Sequence, residues 1–231
     1  MSVDVSGFNL VKATETLDRF LLEKGIGQNA PTMRVGAAID ISGSMSSAYR
    51  SGEVQKTLNR LVPIGLKFDD NGEIDVFKFD NRCEYVETAT PQNYETFVRD
   101  HNIGPRGGTE YAPVVTKALD FFELGKKKGL LSGLFSKNTA AAKADPVLML
   151  ILTDGDCSDS SATERALVAA QQHDIYWHFV GVGGASFRTI RHLADKLPNV
   201  GDVYLKNFSV SDEELYGQII SDELVTWVGK F

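Results

Sequence analysis

Residues 40–44 read Asp40-Ile41-Ser42-Gly43-Ser44 and follow a short apolar run, Val35, Ala37, Ala38 and Ile39. One carboxylate and two hydroxyls on short side chains therefore converge where the chain leaves a predicted β-strand. Hard oxygen donors of this kind suit Mg²⁺ or Mn²⁺, which want near-octahedral oxygen geometry and keep some water. Gly107-Gly108-Thr109 and Thr153-Asp154-Gly155 follow downstream, and Thr109 and Asp154 offer two more oxygen ligands. Taken singly, each of these stretches is a common turn or helix cap. Their conjunction, in this order along alternating strands and helices, is what points to a metal site built from Asp40, Ser42, Ser44, Thr109 and Asp154. Such a set leaves the cation a place for water or an outside oxygen, such as an acidic side chain from a partner. Asp156 and Asp159, close to Asp154, read as solvated loop residues rather than ligands.

The elements that must position these residues follow from periodicity. Residues 8–24 carry Phe8, Val11, Leu17, Leu21 and Leu22 near a helical stripe, and Gly25-Ile26-Gly27 stops it. Met33–Ile41 is a strand apolar on both faces, as a central parallel strand should be. A helix is predicted over Val54–Leu66, kinked or shortened by Pro63. Ile74–Asp80 and Cys83–Thr88 read as an antiparallel pair joined by the two-residue turn Asn81-Arg82. Short helices are expected over Asn93–Arg99, Ala112–Phe122, Ala162–Gln171 and Phe187–Leu193. Strands are expected over Val147–Leu152, Ile175–Val182 and, weakly, Val203–Leu205. Ser211-Asp212-Glu213-Glu214 is a capping box opening one last helix that runs to Val228. The alternation predicts an α/β chain: a Rossmann-like, doubly wound, mostly parallel sheet with one antiparallel edge strand. In such a sheet Asp40 and Asp154 both arrive at the carboxyl edge of the strands, where ligands bind. Gly43 is expected to permit the tight turn that brings Ser42 and Ser44 back to Asp40.

Composition bounds the rest. The chain has 231 residues, 42% hydrophobic and 24% charged, with a net charge of −7. That balance suits a globular α/β body, here divided into an N-terminal helical extension (1–33) and one domain (34–231). The acidic charge argues against general nucleic-acid binding, which needs a basic footprint. Cys83 and Cys157 form neither a disulfide framework nor a zinc pattern, which suits reduced thiols in the cytoplasm. The N-terminus lacks a basic segment followed by an apolar one, and no apolar run approaches the ~18 residues that span a bilayer. Residues 126–143 depart from the rest, with Lys126, Lys127, Lys128, Lys137 and Lys143 and no acid, plus Leu130, Leu131, Leu134 and Phe135. They read as a solvated insertion, with contact to an anionic membrane surface or acidic partner as the alternative.

Asp40-Ile41-Ser42-Gly43-Ser44, Thr109 and Asp154 match, position by position, the metal-ion-dependent adhesion site (MIDAS) of von Willebrand factor A (vWA) domains. The resemblance runs from about Arg34 onward. More narrowly, the chain resembles the vWA domain of the TerF-type tellurium-resistance family through Thr109-Glu110-Tyr111-Ala112-Pro113, Tyr176-Trp177-His178-Phe179-Val180-Gly181-Val182-Gly183 and Asp212-Glu213-Glu214-Leu215-Tyr216. The resemblance implies a binding module rather than an enzyme. Ser42, Ser44 and Thr109 would be direct Mg²⁺ ligands, Asp40 and Asp154 would act directly or through water, and a partner's carboxylate would complete the shell. It also implies a role in bacterial tellurite and chemical-stress resistance. The competing readings are a metal-dependent hydrolase and a structural subunit with a vestigial site. Against a hydrolase, none of His101, His173, His178 and His192 lies in the candidate ligand motifs as a proton acceptor. There is also no phosphate-cradling loop and no nucleophile elbow. Gly181-Val182-Gly183-Gly184 lacks the full dinucleotide fingerprint.

Overall fold

The computed structural model describes residues 8–27, 30–124, 145–183 and 187–231. The Lys126–Lys143 segment and Gly184 lie outside the described residues. The strands are β1 (Arg34–Asp40), β2 (Ile74–Phe79), β3 (Cys83–Ala89), β4 (Val147–Thr153), β5 (Ile175–Val182) and β6 (Val200–Leu205). They form one six-stranded sheet in the order β3-β2-β1-β4-β5-β6. Only β3 runs antiparallel, paired to β2 at the edge. Every residue of β4 and β5 is buried, which is why their sequences are continuous apolar runs rather than alternating ones.

The helices are α1 (Leu10–Glu23), α2 (Ser46–Arg50), α3 (Glu53–Phe68), α4 (Phe97–Asp100), α5 (Ala112–Phe121), α6 (Ser160–Ala170), α7 (Arg188–Lys196), α8 (Asp212–Ile219) and α9 (Asp222–Val228). One face of the sheet packs Ala37, Ile39, Leu148 and Leu150 against Leu17, Leu58, Leu61, Leu215 and Trp227, from α1, α3, α8 and α9. The other packs Ala38, Phe77, Met149 and Trp177 against Val114, Ala118, Leu167 and Ile190, from α5, α6 and α7. Two helical layers on one mostly parallel sheet make the doubly wound architecture that the element order requires.

Several elements differ from the pattern-based expectation. Pro63 does not end α3, which continues for five residues to Phe68 with Pro63 buried inside it. A mid-helix proline costs about 3 kcal/mol, but fully burying Ile64 and Phe68 contributes roughly 1.5–3 kcal/mol each, so packing wins. The β2–β3 connection is Asp80-Asn81-Arg82, one residue longer than expected, because Phe79 pairs directly with Cys83. The last helix is two. α8 closes at Ile220, and the Ser221 hydroxyl accepts from the Leu224 N–H to start α9. In α1, Val11 and Leu22 are 69% and 71% exposed; the buried stripe is Ala13, Thr16, Leu17 and Leu21. β6 begins three residues before the expected start at Val203.

Candidate metal centre

β1 and β4 are parallel neighbours, with Ile39 opposite Leu152, so Asp40 and Thr153 end side by side at the carboxyl edge. The Thr153 hydroxyl donates to Asp40 Oδ2 at 2.6 Å, and the Ser42 backbone N–H donates to Oδ1 at 2.7 Å. Tyr111 donates in turn to Thr153 Oγ1, 3.2 Å away, and to the Gly155 carbonyl. Tyr49 donates to the Asp40 carbonyl at 3.0 Å. The Asp40 side chain is fully buried. Burial pushes its carboxyl up to about 6, against the pull of the Thr153 and Ser42 bonds, and the nearby Asp154 charge pushes the same way as burial. A buried carboxylate with hydrogen bonds but no cation beside it is the condition a divalent ion would relieve.

Beyond Asp40 the chain enters a 3₁₀ turn over Gly43–Met45 and then α2. The tight turn expected at Gly43 is present, made with ordinary rather than left-handed backbone angles. It brings Ser42 Oγ to 3.0 Å from Ser44 Oγ, and Ser44 donates to Asp154 Oδ1 at 2.7 Å. Ser42 is buried, Asp154 half-buried and Ser44 exposed, so this line of oxygens runs from the core to the surface. The oxygens stand 3.0 and 2.7 Å apart as hydrogen-bonded neighbours, and the donor set is entirely oxygen. Among the described residues no three His, Cys, Asp or Glu side chains gather as a metal-binding group. A cation at this edge would therefore depend on the serine and threonine hydroxyls.

Thr109 comes from the loop between α4 and α5. Its hydroxyl is not part of the hydrogen bonds that join Ser42, Ser44 and Asp154; its loop is tied to the same edge through the backbone. Gly43 N–H donates to the Gly107 carbonyl at 3.2 Å, Arg106 N–H donates to the Ile41 carbonyl, and Ser158 N–H donates to the Thr109 carbonyl at 2.9 Å. The β2–β3 turn clamps this loop from the other side. The Asp80 carbonyl accepts from Glu110 N–H at 3.1 Å, and Asn81 Oδ1 accepts from Gly108 N–H at 2.9 Å. Asn81 Nδ2 donates to Glu110 Oε1 at 2.8 Å. Gly107 is the glycine this geometry requires: its φ is +70°, and a Cβ would sit 2.9 Å from that of Asp80.

Asp156 and Asp159 are not the solvated loop residues expected. Asp159 accepts from the N–H groups of Tyr111 and Ala112 at 3.1 and 2.9 Å and from the Thr163 hydroxyl at 2.9 Å. It therefore satisfies the amino end of α5, the helix next to Thr109. Asp156 accepts from the N–H groups of Cys157 and, at the start of α7, Thr189. The sequence reading also passed over Thr153, Tyr111 and the Asp80-Asn81 clamp. Asp80-Asn81-Arg82 has the composition of an Asx turn, a usable signal. The reach of Asp159 to a helix 47 residues away has no local signal at all.

Comparison with known proteins follows the same outline. Residues 32–231 match the vWA-TerF-like family, described as the vWA found in the TerF C terminus. A Bacillus subtilis (strain 168) relative, the uncharacterized protein YcbR, is 24% identical over 201 residues, spanning 83% of this chain and 76% of that protein. Among solved structures, a von Willebrand factor type A protein from Catenulispora acidiphila superposes with a TM-score of 0.57 at 17% identity, covering 80% of this chain and 41% of its own. Proximal thread matrix protein 1 of the mussel byssus, in a structure with a zinc-occupied MIDAS motif, superposes with a TM-score of 0.54 at 14% identity, over 81% of this chain and 46% of its own. The chain thus spans less than half the length of these structures, and at such identities they establish the fold alone. With the family matched over all but the N-terminal segment, the chain belongs to the vWA-TerF-like family of von Willebrand factor type A domains.

Proposed function

We propose that the chain is a non-catalytic, Mg²⁺- or Mn²⁺-dependent protein-interaction module. Ser42, Ser44 and Thr109 hold the ion, with Asp40 and Asp154 as direct or water-bridged partners. The observation that carries this reading is the run of oxygens from Ser42 through Ser44 to Asp154 at the carboxyl edge of the sheet, backed by a buried Asp40. A bound ion supplies a Lewis-acidic point at the surface that takes one outside carboxylate. The protein's own residues fix where that point lies: Asp40 holds the Ser42 backbone, Thr153 holds Asp40, and the Asn81 clamp holds the Thr109 loop. The remaining ligand is an acidic side chain from a protein partner. The family name supports a place in a bacterial tellurium or chemical-stress resistance system, and the two free thiols fit the cytoplasm. No helix among the described residues is long and apolar enough to cross a membrane.

The test is affinity capture from host lysate on the immobilised protein, in Mg²⁺ and then in EDTA, beside Asp154→Ala. Partners that elute with EDTA and never bind the variant are the expected result. A captured set indifferent to both would overturn the reading. Steady phosphoester turnover abolished by Asp154→Ala would replace it with an enzyme.

A further inference from the structure

Three polar atoms in the core have nothing to bond to. Tyr176 and His178 lie two residues apart on β5, so both side chains point to the face covered by α1, α3, α8 and α9. Both are 0% exposed. Among the described residues the Tyr176 hydroxyl and both ring nitrogens of His178 have no hydrogen-bond partner. The rings stack with centroids 5.7 Å apart. β6 makes room for them by placing Gly201 opposite His178. A Cβ at Gly201 would collide with the Tyr176 hydroxyl and stand 3.1 Å from His178 Nδ1.

α9 covers this cluster. The Trp227 ring stands 5.4 Å from that of Tyr176, and Leu224, Trp227 and Val228 are buried. The charge of Glu223, in the first turn of α9, reaches both Tyr176 and His178. The Ser221 hydroxyl accepts from the Leu224 N–H, and Asp222 pairs with Lys24 at the end of α1. The other neighbours are apolar or lack a side chain: β4 sets Leu150 beside His178, β6 sets Gly201, and α1, α3 and α8 turn Leu17, Leu58 and Leu215 to this face. Asp202 of β6 acts on Tyr176.

A buried polar atom without a partner is destabilising, and a fully buried imidazole resists taking a proton until water reaches it. Burial holds His178 at about 4, below its ordinary 6.5, and Glu223 offsets this only in part. The sheet cannot open to admit that water cheaply, because β5 is bonded along its length to β4 and β6. α9 can. It has seven residues, too few to stand as a helix once its packing is lost. Lifting it wets both rings at once.

We infer that α9 is an acid-released latch: a proton taken up by His178 frees this helix from the sheet while the sheet itself stays folded. The sign follows from linkage. His178 binds its proton more tightly when α9 is open than when it is closed, so opening is favoured progressively as pH falls from 6.5 toward about 4.

The test is amide hydrogen exchange across this pH range, with each rate divided by the intrinsic rate of an unstructured amide. The Val225 and Gly229 amides close helical bonds to the Ser221 and Val225 carbonyls. Their protection should fall roughly twentyfold between about pH 7 and about pH 5. Amides of β4 should stay at least ~tenfold better protected throughout, the mark of a local opening rather than global unfolding. His178→Leu should remove the pH dependence of α9. His178→Gln, which keeps a polar side chain but takes no proton, should do the same and guards against a Leu variant that fails to fold. α9 amides protected as strongly as those of β4 would show that the helix opens only with the whole molecule. A pH-dependent loss that survives both substitutions would place the proton elsewhere. Either result would overturn the inference.

Discussion

Asp40 is the residue where stability and the proposed function pull apart. Its folded-state carboxyl titrates near 6, above the ordinary 3.8, chiefly through burial. The sign follows from linkage. A folded pKa above the unfolded one means the group's stabilising contribution is full below 3.8 and is lost as pH rises through about 6. At neutral pH the ionised Asp40 therefore destabilises the metal-free protein by up to about 3 kcal/mol. Asp40→Asn keeps an acceptor for Ser42 N–H and offers an amide donor to Thr153. Chemical denaturation at neutral pH in EDTA should find this variant more stable than the parent, yet deaf to added Mg²⁺. A less stable Asp40→Asn would show that the carboxylate is structural. Asn81 acts at one remove, through the loop carrying Thr109. Asn81→Ala should weaken Mg²⁺ binding about tenfold while shifting global stability by less than ~1 kcal/mol, since the turn is exposed. Titration calorimetry beside a melt checks both halves.

At the scale of elements, what was legible in the sequence depended on whether the signal was local. β1, β4 and β5 announce themselves as apolar runs, with Asp40 as the last residue of β1 and Asp154 just beyond β4; the expected sheet, with its antiparallel edge, is the observed one. Pro63 misled because the tertiary burial of Ile64 and Phe68 outweighs a local penalty. The break between α8 and α9 was missed although Ser221-Asp222-Glu223 is a cap signature in plain view. The earlier capping box at Ser211 drew the whole stretch into one helix. Ser221→Ala should therefore remove a real cap and cost about 1 kcal/mol, read as a lowered denaturation midpoint with an unchanged slope. No change would mean that the burial of Leu224 and Trp227 alone holds α9. The Asp159 link to α5 was illegible for another reason, and of the Asn81 clamp only the local turn could be read. Both join residues far apart in sequence, and only the folded sheet edge brings them together. The five candidate ligands come from local motifs; the long-range bonds among the loops that carry them have no such signal.

For the whole molecule, the expected source of acid sensitivity is a group on β5, away from the candidate metal centre. His178 on β5 is fully buried, stacks against Tyr176 with ring centroids 5.7 Å apart, and has no hydrogen-bond partner on either ring nitrogen among the described residues. Burial depresses its pKa from 6.5 to about 4. A depressed folded pKa contributes stability that is present above 6.5 and lost as pH falls through about 4. The loss amounts to up to about 3 kcal/mol, opposite in sign to the effect of Asp40 over much of the same range. His178→Leu should flatten the acid limb of the stability profile; an unchanged limb would assign acid sensitivity elsewhere. The central claim is that Asp40, Ser42, Ser44, Thr109 and Asp154 form one cation site at the carboxyl edge of this sheet. It is tested most directly by adding substoichiometric Mn²⁺ to the isotope-labelled protein and following amide resonances. The expected result is paramagnetic broadening confined to residues around 40–44, 107–110 and 153–155, reversed by excess Mg²⁺ and absent in Asp154→Ala. Broadening spread over the acidic surface, or centred elsewhere and untouched by that substitution, would contradict it.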